Sequence, residues 1–140
     1  MHTEHLRNVH PLWVAAGWLV AAATASLITL AFAALELTGP ATDPGTAGLA
    51  GVALGFWVGG FFTGFRATRA PILHGIAIGL TSLIAWFLLN LLVFVFPSLG
   101  WEALSPLLTA ALLLVQMTAA VAGAWVGHRI ALRGGAELRE

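Results

Sequence analysis

Long apolar runs alternate with short polar breaks along the chain. The runs lie near residues 12–36, 46–65, 72–96 and 106–128 and are built mostly from Ala, Leu, Val, Ile, Phe, Gly and Trp. A helix needs about 20 mainly apolar residues to cross a hydrocarbon core of roughly 30 Å, and each run reaches that length. The pattern predicts an all-α polytopic membrane protein, with four transmembrane helices in a compact bundle and a single domain over residues 1–140. Pro40, Pro44, Pro97 and Pro106 fall in the breaks, where a helix cannot simply continue. Pro11 and Pro71 fall near helix starts, where the missing N–H costs little.

Composition points the same way. Hydrophobic residues make up 59% of the chain and charged residues 9%, against about a quarter charged in an ordinary soluble domain. A domain this small has too much surface for its volume to hide so much apolar area from water. Lipid is the solvent that fits. Ala31, Phe32 and Ala33 have the small-x-small form of a signal-peptide cleavage site. However, the run from Leu12 exceeds the roughly 7–15 residues of a signal core, and only Arg7 precedes it as a strong positive charge. The first run is expected to remain as the first helix.

Charge adds an orientation. All six basic residues are arginine: Arg7 before the first span, Arg66 and Arg69 between the second and third, and Arg129, Arg133 and Arg139 after the fourth. The two other breaks hold Glu36, Asp43 and Glu102 and no arginine. The positive-inside rule then predicts both termini and the middle turn on the cytoplasmic side. Trp13 and Trp101 fall near opposite interfaces, whereas Trp18, Trp57 and Trp86 are expected deeper, as packing residues. The chain has no cysteine and zero net charge, which excludes disulfides, thiolate chemistry and a basic tract for nucleic acid.

"GFWVGG" at 55–60 returns as "GAWVGH" at 123–128, an offset of 68 residues that also pairs Trp18 with Trp86. The halves can thus be read as two tandem parallel hairpins related by an axis along the membrane normal. Only six positions coincide at that offset, so close packing explains the motif better than ancestry. Gly51, Gly55 and Gly59 recur every four residues, as do Ala119, Gly123 and Gly127, and Gly75 with Gly79. The first span carries Gly17, Ala21, Ala25, Thr29 and Ala33 at the same spacing. Such ridges let helix backbones approach in lipid, where little hydrophobic force acts between helices. The motif tryptophans are expected to fill the adjacent grooves. Gly60 and Gly64 form a second flat face, which serves either a second neighbour within the chain or a partner outside it.

Chemistry-bearing residues are few. No Asp, Glu, Lys or Arg falls in the middle of a span, which argues against an ion- or proton-driven pump. Asn90 and Gln116 are the strongly polar side chains deep in the spans; a hydrogen bond between helices is expected, with ligand contact or pore lining as the alternative. His74 and His128 each follow an alanine by four residues, Ala70 and Ala124. This A-x-x-x-H spacing resembles the bacteriochlorophyll-binding motif of light-harvesting polypeptides, and a neutral imidazole can also ligate haem. His2, His5 and His10 with Glu4 fit no defined metal site, and a solvated terminus is expected there. No serine or threonine has an acid–base partner to activate it, so no enzyme is expected.

The stretch "GFWVGGFFTGFRATRAPILHGIAIGLTSL" (55–83) resembles the core of a family of small four-helix bacterial membrane proteins of unknown function. The residues concerned are Gly59, Gly60, Gly64, Arg66, Arg69, His74, Gly75 and Gly79. The resemblance implies four helices and a bacterial inner-membrane location, and adds no mechanism. The leading expectation is a non-catalytic membrane subunit or scaffold, in contact with lipid and with other membrane subunits or copies of itself. A homo-oligomeric transporter or channel lined by Asn90, Gln116 and Arg129 is the first alternative, and tetrapyrrole binding through His74 and His128 the second.

Overall fold

The computed structural model of the protein describes residues 9–35, 44–67, 69–96 and 106–137. Four helices account for almost all of them: α1 (Pro11–Ala34), α2 (Pro44–Arg66), α3 (Pro71–Val95) and α4 (Pro106–Glu137). Every helix opens on a proline, the residue whose fixed φ and absent N–H suit a first helical turn. All four are long and apolar enough to cross a membrane. The protein is a multi-pass membrane four-helix bundle. Arg7, Arg139, Glu36, Asp43, Glu102, Trp101, Pro40, Pro97, His2, His5 and Glu4 lie outside the described residues.

Glycines and small side chains make up most of the interior, and large side chains most of the exterior. Its core draws on every helix, through Val14 and Ala21 of α1, Phe56 of α2, Ile78 of α3 and Ala120 of α4. Leu12, Leu27, Leu30, Phe87, Phe94 and Leu107 are all more than 60% exposed. A protein in water would reverse this arrangement, since removing apolar area from solvent drives its folding. In lipid an exposed leucine costs nothing, and closeness of backbones decides what is inside.

α2 is the hub. A Cβ added to Gly55 would lie 2.6 Å from the Ala25 Cβ and 2.7 Å from the Ala21 carbonyl, and one on Gly51 would lie 2.6 Å from Thr29 Oγ1. Gly59 meets Gly17 and Ala21 in the same seam. The second face is also occupied within the chain. Gly60 sits on the backbone of Ala120 and Gly64 on that of Ala124, while Gly123 and Gly127 of α4 receive the carbonyls of Trp57 and Phe61. A third seam joins α3 to α4, with Gly75 against Val121 and Gly79 against Met117. Around the bundle α1 therefore adjoins α2 and α3, and α4 adjoins the same two, while α1 and α4 hardly touch.

Four sequence expectations change. The α4 ridge facing α2 includes Ala120 and Ala124 beside Gly123 and Gly127, whereas Ala119 turns to the central core. The motif tryptophans are not buried in the grooves beside the glycines: Trp57 is 39% and Trp125 44% exposed. The hairpins do lie side by side with like helices pointing the same way, but not at the repeat offset. Gly60 meets Ala120 and Gly64 meets Ala124, sixty residues on, and α1 bonds α3 at a separation of 64. With α1 beside α3 and α2 beside α4, an axis along the bundle does not relate the two hairpins. α4 also runs nine residues past the expected end at residue 128.

Replacing Gly60 or Gly123 by leucine is expected to destabilise the fold by at least the roughly 1–3 kcal/mol typical of overpacking, since the obstructing atoms are backbone. Gly48→Leu, at a position with open space around it, serves as the control. Thermal unfolding in detergent reads the difference. Wild-type midpoints for the first two variants would remove the seams from the account of stability.

Candidate functional site

Where α1 meets α3, hydrogen bonds stand in for a glycine seam. The His10 N–H donates to His74 Nε2 at 3.1 Å, and the Trp18 indole N–H donates to Ser82 Oγ at 2.9 Å. His74 is fully buried. Its Nδ1–H donates to the Ala70 carbonyl at 2.9 Å, and the same carbonyl accepts the His74 backbone N–H at 3.2 Å. Ala70 holds φ 51° and ψ 53° at the N-cap of α3, a left-handed conformation that costs an alanine roughly 1–2 kcal/mol. The imidazole thus ties the start of α3 to the start of α1 through both ring nitrogens. Thr63, also fully buried, links α2 to the same end, donating to the Gly59 carbonyl at 3.0 Å and lying 3.2 Å from the Trp13 carbonyl. A side chain at Gly17 would displace that hydroxyl.

Beyond the Trp18–Ser82 bond the helices part around a cavity of about 450 Å³ that separates α1 from α4. Trp18, Ser82 and Gln116 form its floor. Ala22, Ala25, Phe56, Ala85, Trp86, Leu112 and Leu113 form its apolar middle. Ser26, Leu89 and Thr109 surround its mouth, where Ser26 and Leu89 are exposed. Every lining residue lies on the side of the Trp18–Ser82 bond away from the arginines. Two polar atoms here are buried without a partner, Thr109 Oγ1 and Gln116 Oε1. Thr109 as a whole is only 6% exposed. Such a group ordinarily costs about 1–3 kcal/mol, so an unpaired pair in one cavity calls for an explanation.

The predicted site residues are dispersed. Asn90 does not meet Gln116: its amide donates to the Trp86 carbonyl at 2.8 Å, one turn back on its own helix, and it does not line the cavity. Arg129 is exposed, with its guanidinium 3.9 Å from the centre of the Trp125 ring, so it neither tucks into the bundle nor reaches Gln116. His74 faces His10, their ring centroids 6.3 Å apart, and His128 is half-buried on α4. A metal in a tetrapyrrole needs a ring nitrogen with a free lone pair, and the bonds of His74 leave it none. Among the described residues no three His, Cys, Asp or Glu side chains gather to hold a metal. Sequence reasoning passed over Thr109, Ser82, Ser26 and Thr63. One available signal was the 64-residue interval that sets His10 with His74 and Trp18 with Ser82.

Compared with family models, curated proteins and solved structures, the chain matches none.

His74→Leu removes both ring hydrogen bonds and is expected to lower stability by roughly 1–3 kcal/mol. Trp18→Phe, which loses one interhelical bond, should cost about 1 kcal/mol. Asn90→Leu should be nearly neutral, because its bond is local to α3. Chemical unfolding monitored by helicity would rank the three. An Asn90 effect as large as that of His74 would contradict this assignment of the α1–α3 contact.

Proposed function

We propose that the protein is a non-catalytic integral membrane subunit, packed laterally in a larger membrane complex or against copies of itself. Its three seams set backbone against backbone, so one helix cannot slide past another without forcing side chains into gaps too narrow for them. That favours a rigid structural element over a transporter, whose helices must rock or slide. The cavity gives one copy no through-path, as its lining stops at Trp18 and Ser82.

The observation that carries the subunit reading is an aromatic ladder on the outward side of α2. Trp57 and Phe61 stack with centroids 5.6 Å apart, and Phe61 and Phe65 at 6.2 Å. Trp57 and Phe65 are substantially exposed. The Gly123 and Gly127 seam anchors the backbone beneath them, so the rings form a fixed surface, and rigid aromatic side chains are the common anchors of protein interfaces. Arg66, Arg69, Arg129 and Arg133, all exposed, lie at one end of the bundle. The positive-inside rule supports placing that end, and both termini, on the cytoplasmic side of a bacterial inner membrane.

The test is the native mass of the particle extracted in mild detergent, with an absorption spectrum taken in line. We expect a mass well above the 14.6 kDa of one chain, falling when Trp57 and Phe65 are both replaced by alanine while helicity is kept. A wild-type particle of a single chain would overturn the subunit reading.

A further inference from the structure

We propose that the cavity between α1 and α4 is a binding site for an uncharged lipid that carries hydroxyl or amide hydrogens. The inference is independent of the subunit reading, because the site is complete within one chain. A volume of about 450 Å³ falls within the range of small-molecule sites, about 300–1,000 Å³. The wall is apolar through its middle, where Phe56, Trp86, Leu112 and Leu113 lie. An aliphatic chain fits such a wall.

The polar groups decide which lipid. Thr109 Oγ1 and Gln116 Oε1 are both buried and unpartnered. They stand seven residues apart on α4, about 10.5 Å along its axis, and a helical glutamine points back towards the helix N-terminus, which here is the direction of Thr109. A ligand with polar atoms spread over its head would meet both once these covered side chains turn into the cavity. The Gln116 oxygen accepts and needs an O–H or N–H from the ligand, whereas the Thr109 hydroxyl can donate or accept. No charged side chain lines the cavity, so a carboxylate or phosphate head would enter a low-dielectric site with nothing to pair it. Ser26 and Leu89 at the mouth are exposed, which gives a lipid lateral entry. A neutral glyceride, with glycerol hydroxyls above an acyl chain, has every one of these properties. A hydroxylated or N-acyl amide lipid shares the chemistry.

Trp18 and Trp86 line the site and supply the readout. The protein in detergent is titrated with dibrominated stearoyl glycerol, a dibrominated N-acyl ethanolamine, dibrominated methyl stearate and dibrominated stearate, since bromine quenches nearby indoles. Saturable quenching is expected from the glyceride or the amide, at concentrations about tenfold lower than for the methyl ester or the anion, the factor contributed by one well-made buried hydrogen bond. Whichever of the two binds more tightly identifies the head group. Trp86→Phe should remove a large part of the quenched amplitude. Gln116→Met should abolish the preference for donor-bearing probes, and Thr109→Val, close to isosteric, should weaken binding of the glyceride and the amide, while helicity and elution remain those of wild type. If Gln116→Met fails to fold, Thr109→Val alone decides. Equal quenching by the methyl ester, quenching that never saturates, or an unchanged affinity for both the glyceride and the amide in Thr109→Val would each overturn the proposal. The native mass plays no part in this titration, so the two readings fail separately.

Discussion

The bundle depends on how closely α2 approaches two neighbours at once. Dispersion falls away steeply with a gap of even an ångström, and between helices in lipid it is the main attraction available. Removing side chains from two faces of one helix is therefore an efficient way to hold three helices together. Gly51, Gly55 and Gly59 serve α1, and Gly60 and Gly64 serve α4. The third side of α2 must then carry its bulk, which is why Trp57, Phe61 and Phe65 stack outward. A rotation of α2 by one residue would drive a phenylalanine into a seam that admits no methyl group. The rotational setting of the whole molecule follows from that restriction.

Much of this fold could be read from the chain, and the reasons are local. Apolar run length is set by bilayer thickness, so the four spans could be counted directly. The starts fell within two residues of the prolines that open the helices, because proline acts on its own turn. Ends were less legible. Hydropathy marks where the membrane stops, whereas backbone hydrogen bonding continues through polar residues, and α4 carries Arg129 and Arg133 as ordinary helical positions. The small ridges were visible as spacing. Their partners were not, since GxxxG does not say which helix it faces; the choice between an internal and an external role for Gly60 and Gly64 needed the neighbour.

The polar residues were misread for a different physical reason. A short side chain such as Asn90 can satisfy itself on the preceding turn, which a sequence pattern cannot separate from a bond across helices. His74 looked like a ligand because a small residue precedes it by four. The same geometry brings the Ala70 carbonyl to its Nδ1. The ring is then fixed in one tautomer, with Nε2 left as the acceptor for the backbone N–H of His10, the residue that precedes α1. The spacing was informative, but what it encoded was a tie between two helix starts.

The cavity follows from the same economy. Three of the four adjacent helix pairs close by a glycine seam, and α1–α3 has none; no glycine of either helix has the other's backbone as its nearest neighbour. Two hydrogen bonds hold that pair at the arginine end, and the second is made by an indole, which spans a wider gap than two backbones in contact. Beyond it nothing draws α1 towards α3 or α4. The bundle cannot close the gap by tilting α1, because Gly51 and Gly55 fix α1 against α2 over the same stretch, nor by tilting α4, which Gly60, Gly123 and Gly127 fix in turn. The tightness of the seams therefore preserves the space between them. Filling it with leucine at Thr109 and Gln116 would have avoided two unpaired polar groups, and the chain places a hydroxyl and an amide there instead.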